Sequence, residues 1–313
     1  MAGNKTPKVV VIAGPTATGK TALAVELSLA LAEKGEIINA DSMQVYAGMD
    51  IGTAKPAPED QRGIVHHLLD VVEPDEEFNA AVFCSLALPL VKDIEQRGRA
   101  CFVVGGTGLY IRGLVEGLFI CPSVDRGLRK ELKLECEAMG PSKLHERLKR
   151  IDPETAGRIH PNDKLRIIRA LEIFHLTDRR PADLAKEQSL KDRPVNALKL
   201  CLDVDRNRLY ERINQRSLAM VEAGLLKETE ELLAKGYSPD LKPMKGIGYR
   251  HMLEYLDGDC SFEEAVHGLQ RDTRRYAKRQ LTWFRADPEF IWIAPEELSL
   301  AKRMIEEFLY QDG

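Results

Sequence analysis

Val9-Val10-Val11-Ile12-Ala13-Gly14-Pro15-Thr16-Ala17-Thr18-Gly19-Lys20-Thr21-Ala22 is the stretch that decides the fold. A short β-branched run reads as a buried strand. Gly14 to Thr21 then fit G-x-x-x-x-G-K-[ST] without a mismatch, immediately before a helical pattern. The glycines let the backbone curl so that several N–H groups converge on phosphate oxygens. The helix N-terminus adds positive potential, Lys20 a point charge, and the Thr21 hydroxyl can hold Mg2+. Gly14, Pro15, Thr16, Ala17, Thr18, Gly19, Lys20 and Thr21 are therefore the expected diphosphate site. The loop does not say which diphosphate is bound.

Further strands are expected at Glu36–Ala40, Ala100–Val104, Leu198–Val204 and Phe290–Ala294, each short and bounded by Gly, Asp or Pro. Helical patterns lie at Lys20–Lys34, Phe78–Arg97, Leu209–Lys235 and Phe262–Arg285. That alternation predicts an α/β, doubly wound parallel sheet. The nearly hundred residues between the third and fourth strands are too many for one crossover. From about Pro122 to Val195 the composition turns to Lys, Arg, Glu and Leu. Leu144, Leu148 and Ile151 give one helix an apolar stripe, and Asp152-Pro153 and Asn162-Asp163 read as N-caps. A small all-helical domain, 122–197, is thus expected inside a core made of 1–121 and 198–313.

Composition excludes several classes. Hydrophobic residues are 44% and charged residues 30% of 313, as in an ordinary globular protein. The longest uncharged stretch, Phe78 to Val91, is too short to span a membrane and holds Asn79, Ser85 and Pro89. No basic-then-apolar leader opens the chain. The six cysteines are scattered with no Cys-x-x-Cys pair, which argues for a reducing cytoplasm. Forty-five Lys and Arg against 49 Asp and Glu give a net charge of −4. A globally basic nucleic-acid binder is excluded, a locally basic one is not.

Beyond the second strand, Asp41-Ser42-Met43-Gln44-Val45-Tyr46 places an acid at the strand ends where ligands of such sheets bind. There Asp41 can accept a proton from a nucleophile, ligate Mg2+, or simply cap the next turn. Val104-Gly105-Gly106-Thr107-Gly108-Leu109-Tyr110 follows the third strand, and its glycines allow close backbone approach with Thr107 as donor. His66-His67, adjacent on extended chain, point apart and are read as structural.

The segments Gly-Pro-Thr-Ala-Thr-Gly-Lys-Thr, Asp-Ser-Met-Gln-Val-Tyr and Gly-Gly-Thr-Gly-Leu-Tyr together closely resemble the tRNA dimethylallyltransferase family. The resemblance continues at Asp163–Phe174, Leu209–Arg216, Gly246-Ile247-Gly248-Tyr249-Arg250 and Ala277–Trp283. The Cys/His finger of eukaryotic members has no counterpart, so the chain looks bacterial. The resemblance implies a P-loop NTPase-like core acting in the cytoplasm as a monomer. The reaction it implies transfers a dimethylallyl group from dimethylallyl diphosphate to N6 of the adenine at position 37 of tRNA. Asp41 is then the candidate base for that amine, and Thr107 a donor to the bridging oxygen. Arg216 becomes a second diphosphate clamp, and the tRNA anticodon stem-loop the partner. The tRNA-binding residues it implies are Asp41, Ser42, Met43, Gln44, Thr107, Arg129, Leu165, Arg166, Ile167, Ile168, Arg169, Lys245, Gly246, Gly248, Tyr249, Arg250, Arg274, Lys278 and Arg279.

Arg271 to Arg285 holds six cations against one acid, with Tyr276, Trp283 and Phe284 among them, which is either a phosphate-attracting face or a solvated one. Arg166 and Arg169, at i and i+3, share a helix face. Chemistry on a base requires the base to be extruded from its stack. Three alternatives stay open: a small-molecule kinase consuming ATP at the same loop, a nearer variant that prenylates free adenine nucleotides instead of tRNA, and a nucleotide-switched RNA-binding module without turnover.

Overall fold

The computed structural model describes residues 6–31, 34–118, 125–189 and 193–310. The expected boundary at Pro122, and Cys121, lie outside them. Six strands, β1 Lys8–Ala13, β2 Glu36–Asn39, β3 His66–His67, β4 Cys101–Gly105, β5 Asn196–Leu202 and β6 Ile291–Ile293, form one sheet. Its order is β3-β2-β4-β1-β5-β6 and every pair is parallel. β1 is central, which is why its residues from Val9 to Ala13 are apolar without alternation: both faces are covered. β4 comes between β1 and β2, and β5 lies on the other side of β1. The sheet therefore changes direction at β1 and β4, and ligands of such sheets bind outside that point.

The first part of the core carries the helices α1 Lys20–Ala30, α2 Pro58–Gln61, α3 Ala80–Gln96 and α4 Gly108–Glu116. The inserted segment holds α5 Arg126–Met139, α6 Pro141–Ile151, α7 Pro153–Arg158, α8 Lys164–Thr177 and α9 Pro181–Ser189. The core resumes with α10 Arg206–Glu222, α11 Leu225–Ala234, α12 Tyr249–Leu256, α13 Phe262–Arg285 and α14 Leu298–Tyr310. One face of the sheet buries Val10, Ile12, Ile37, Phe102 and Leu200 with Leu27 of α1 and Ile305 of α14. Each such side chain contributes about 1.5–3 kcal/mol of burial. The helix expected over Leu209–Lys235 is two helices, because Gly224 takes φ 105°, a left-handed conformation that ends one turn and caps the next. No described helix is long and apolar enough to cross a membrane.

The chain divides into two compact units, 1–115 with 194–313, and 116–193. The second has its own core of Leu132, Leu144, Leu148, Ile167, Ile168 and Leu171. Its corner is Asp152, fully buried. That carboxylate accepts the Thr155 N–H and hydroxyl at the start of α7 and the Ala182 N–H at the start of α9. Pro153 at the first helical position gives up an N–H that would have had no partner.

Candidate active site

Glycine 19, at φ 91°, turns the chain from the loop into α1, where the first N–H groups have no intrahelical acceptor. Ala17 is held at φ 65°, a left-handed conformation costing a side-chain-bearing residue about 1–2 kcal/mol. Two cations converge on this loop. The Lys20 ammonium donates to the Pro15 carbonyl at 2.8 Å. Burial pulls its pKa down to about 8, with Asp41 opposing and Arg216 reinforcing that fall. The Arg216 guanidinium donates to the Thr16 hydroxyl at 2.9 Å, and burial lowers its pKa too. Neither cation forms an ion pair among the described residues, and desolvated positive charge left without a counter-ion is costly. The arrangement suits an anion.

Asp41 follows β2, one strand removed from β1, so simple adjacency of consecutive strands does not bring it to the loop. The link runs through the turn after β4. Gly105 approaches so closely that a Cβ there would lie 2.2 Å from the Ala40 carbonyl oxygen. The Thr107 N–H donates to that same oxygen at 3.2 Å, and the Thr107 hydroxyl accepts the Ser42 N–H at 3.0 Å. Asp41 Oδ1 accepts the Met43 N–H at 2.8 Å, so the residue does cap its turn, and among the described residues no hydrogen bond engages its second oxygen. Thr107 lines neither of the two cavities at this loop; its hydroxyl stands against the Tyr276 phenol, whose pKa is raised by burial and by the charge of Asp41.

Two cavities open on either side of a common wall. One, about 550 Å³, holds Gly19, Lys20, Thr21 and Gln44. The other, about 390 Å³, holds Ser42, Met43, Lys245, Gly246, Arg250 and Arg279. Thr16, Ala17, Asp41, Thr53, Arg216 and Tyr276 belong to both. A carboxylate and a guanidinium thus stand where contents of the two cavities would meet.

Several of the implied tRNA-binding residues sit elsewhere. Ile167 and Ile168 are buried in the core of the second unit, where their side chains hold α8 in place. Tyr249 is likewise buried, its phenol donating to Glu228 at 2.6 Å, while Gly248 turns into α12 at φ 102°. Arg129 and Arg169 both grip Oε2 of the fully buried Glu172, at 2.6 and 2.7 Å. Arg166 pairs with Asp163 yet stays 68% exposed, and Leu165 is 75% exposed. Arg274 donates to Asn214, and Arg250 to Asp272. Asp272 also collects Arg271 and Arg275, and Arg271 first, then His251 and Arg250, hold it far below the usual carboxylate range. Lys278 and Arg279 are exposed and, among the described residues, have no acid partner. The histidines at 66 and 67 form β3, where His67 meets the buried Glu36 at 2.7 Å.

Gln280 has a role that no spacing or motif in the sequence marks. It is buried on α13, accepts the Thr16 N–H and donates to the Gly106 carbonyl, each at 2.9 Å, and so ties the two glycine loops together. Its one signal was a neutral residue within a basic run. Among the described residues no group of three or more His, Cys, Asp or Glu could hold a metal. The oxygen donors lining the cavity at Lys20 include the Thr21 hydroxyl and the carboxylates of Glu26, Asp41, Glu59 and Asp60, a hard set that fits magnesium, which keeps most of its coordination for water and phosphate.

A parallel sheet whose central strand runs into this glycine-lysine loop defines a P-loop α/β protein. Residues 44–287 match the family model of IPP transferase, and residues 7–73 that of isopentenyl transferase. A tRNA dimethylallyltransferase of Geotalea uraniireducens is 49% identical over 96% of this chain and 97% of its own. One of Desulfosudis oleivorans is 47% identical over 97% and 96%. The solved tRNA isopentenylpyrophosphate transferase of Bacillus halodurans superposes with a TM-score of 0.72 at 42% identity, covering 97% of each chain. A eukaryotic dimethylallyltransferase acting on tRNA gives 0.81 at 29% identity, over 97% of this chain and 79% of that one. The chain belongs to the IPP transferase family.

Proposed function

We propose that this protein transfers a dimethylallyl group from dimethylallyl diphosphate to N6 of the adenine at position 37, on the 3′ side of a tRNA anticodon. The observation that carries the reading is the pair of half-buried cations, Lys20 and Arg216, without an ion pair among the described residues, beside a carboxylate that faces two cavities. The phosphate loop, Lys20 and Arg216 bind the diphosphate, fixed positive charge standing where the leaving group gains negative charge. The adenine amine enters from the other cavity and forms a bond to C1 of the allyl group. The C1–O bond breaks, its electron pair leaving with diphosphate, and the N6 proton passes to the Asp41 carboxylate. Thr21 would hold Mg2+, which would supply further positive charge to the diphosphate.

The exposed Leu165, Arg166, Lys278 and Arg279 are the side chains we assign to the RNA, together with the Arg129–Arg169 pair. Position 37 lies in a single-stranded loop, whose splayed bases are what proteins read in RNA by sequence. Four of the described cysteines are buried free thiols, which supports a reducing cytoplasm as the setting. The test mixes the protein with labelled dimethylallyl diphosphate, ATP and unmodified tRNA. Label should enter tRNA with release of diphosphate. ATP turnover with a small hydroxyl acceptor would instead make the protein a kinase.

A further inference from the structure

We propose that Glu228 is a positioning residue for this reaction: it locks the 50–54 turn, which fixes Gln44 in the wall of the diphosphate cavity. Glu228 lies on α11, 178 residues from the turn it meets. Its carboxylate accepts four hydrogen bonds. Oε2 takes the N–H groups of Asp50 and Ile51 at 3.0 and 2.7 Å, and Oε1 takes the Gly52 N–H and the Tyr249 hydroxyl at 2.9 and 2.6 Å. Three consecutive backbone N–H groups curved onto one point form an anion-binding nest. Here the anion is part of the protein.

The turn is shaped by that grip. Gly52 lies flat on the Tyr249 ring, where a Cβ would come within 2.4 Å of the ring carbon. Two residues on, Ala54 is held left-handed at φ 48°, a conformation that persists only where the surroundings impose it. The carbonyls of Thr53 and Ala54 then accept the two amide hydrogens of Gln44, at 3.2 and 3.1 Å. With both hydrogens engaged, Gln44 offers the cavity only its Oε1, an acceptor. Thr53 itself lines both cavities. A carboxylate outside both cavities therefore decides which way an amide in the wall of one of them points.

Glu228→Gln keeps the volume but turns one oxygen into an N–H2 group facing backbone N–H donors. The proposal rests on the transferase reading, so transfer by the wild-type protein is measured first; its absence overturns that reading and leaves the nest to be tested by exchange alone. Hydrogen exchange at the amides of Asp50, Ile51 and Gly52 should rise sharply in Glu228→Gln. Turnover should fall about a hundredfold, as for a misplacement near 1 Å, with the Kd for dimethylallyl diphosphate unchanged. Because Glu228 acts through Gln44, adding Glu228→Gln to Gln44→Ala should lower turnover no further than about twofold. Tyr249→Phe, removing one bond of four, should show a smaller loss of the same kind. Fully multiplicative losses in the double variant, or unchanged exchange at residues 50–52, would overturn the proposal.

Discussion

Two side chains set the chemistry, and each makes a measurable claim. Asp41→Asn keeps the cap on Met43 but offers no proton acceptor, so turnover should fall by roughly 10²–10⁴ while both substrates still bind. Near-wild-type turnover with a weakened Mg2+ requirement would make Asp41 a metal ligand instead. Lys20 carries a pKa lowered to about 8 by burial, and the sign of its effect follows. Below that value it is charged and ready for an anion; as pH rises through it the free site loses its charge. Affinity for dimethylallyl diphosphate should then weaken by about tenfold per unit above pH 8, with proton uptake on binding, and Lys20→Arg should flatten the curve. Titration calorimetry in buffers of different ionisation enthalpy reads both. These residues were legible because a fixed spacing, or the end of a strand, marks them. Gln280 and Glu228 were not, because each acts on backbone more than 170 residues away, and nothing in local sequence records such a partner.

At the scale of elements, α8 shows how one helix serves two purposes. Glu172 is fully buried and takes Arg129 and Arg169 on the same oxygen, leaving Oε1 without a hydrogen bond. Removing one arginine uncovers part of a buried charge, so Arg169→Ala should destabilise the inserted unit by up to about 3 kcal/mol. Arg166→Ala, one turn away and exposed, should change stability little. Urea unfolding of the two variants decides it, and equal midpoints would show that Arg129 alone compensates Glu172. The arginine pattern of α8 was visible in sequence, but not which arginine faces solvent. Elsewhere the limits were local too. β3 is two residues, too short for any periodicity, and Gly224 sits inside a pattern that otherwise reads as one long helix.

For the whole molecule, alternating strands and helices with one long gap were enough to read a parallel sheet carrying a helical insertion. Strand order was not readable that way, since no local feature says that β4 comes between β1 and β2. That placement matters, because it makes the glycine turn after β4 the bridge between Asp41 and the phosphate loop. The division into two units makes the last prediction. Arg166 lies in the inserted unit and Lys20 in the core. Arg166→Ala should raise the tRNA KM and flatten the salt dependence of RNA binding, by a slope of about 0.7 for each single-strand phosphate no longer neutralised. Affinity for dimethylallyl diphosphate should stay unchanged. Lys20→Ala should do the reverse, damaging diphosphate use and leaving most RNA affinity. Because Arg169 also neutralises Glu172, the clean comparison uses Arg166 for the RNA arm, with Arg169 variants read only after their stability is known. If Arg166→Ala weakened diphosphate binding alone, the inserted unit would be acting on the small-molecule site and not on RNA. A kinase-like use of the loop would then explain the charges better than transfer to tRNA does.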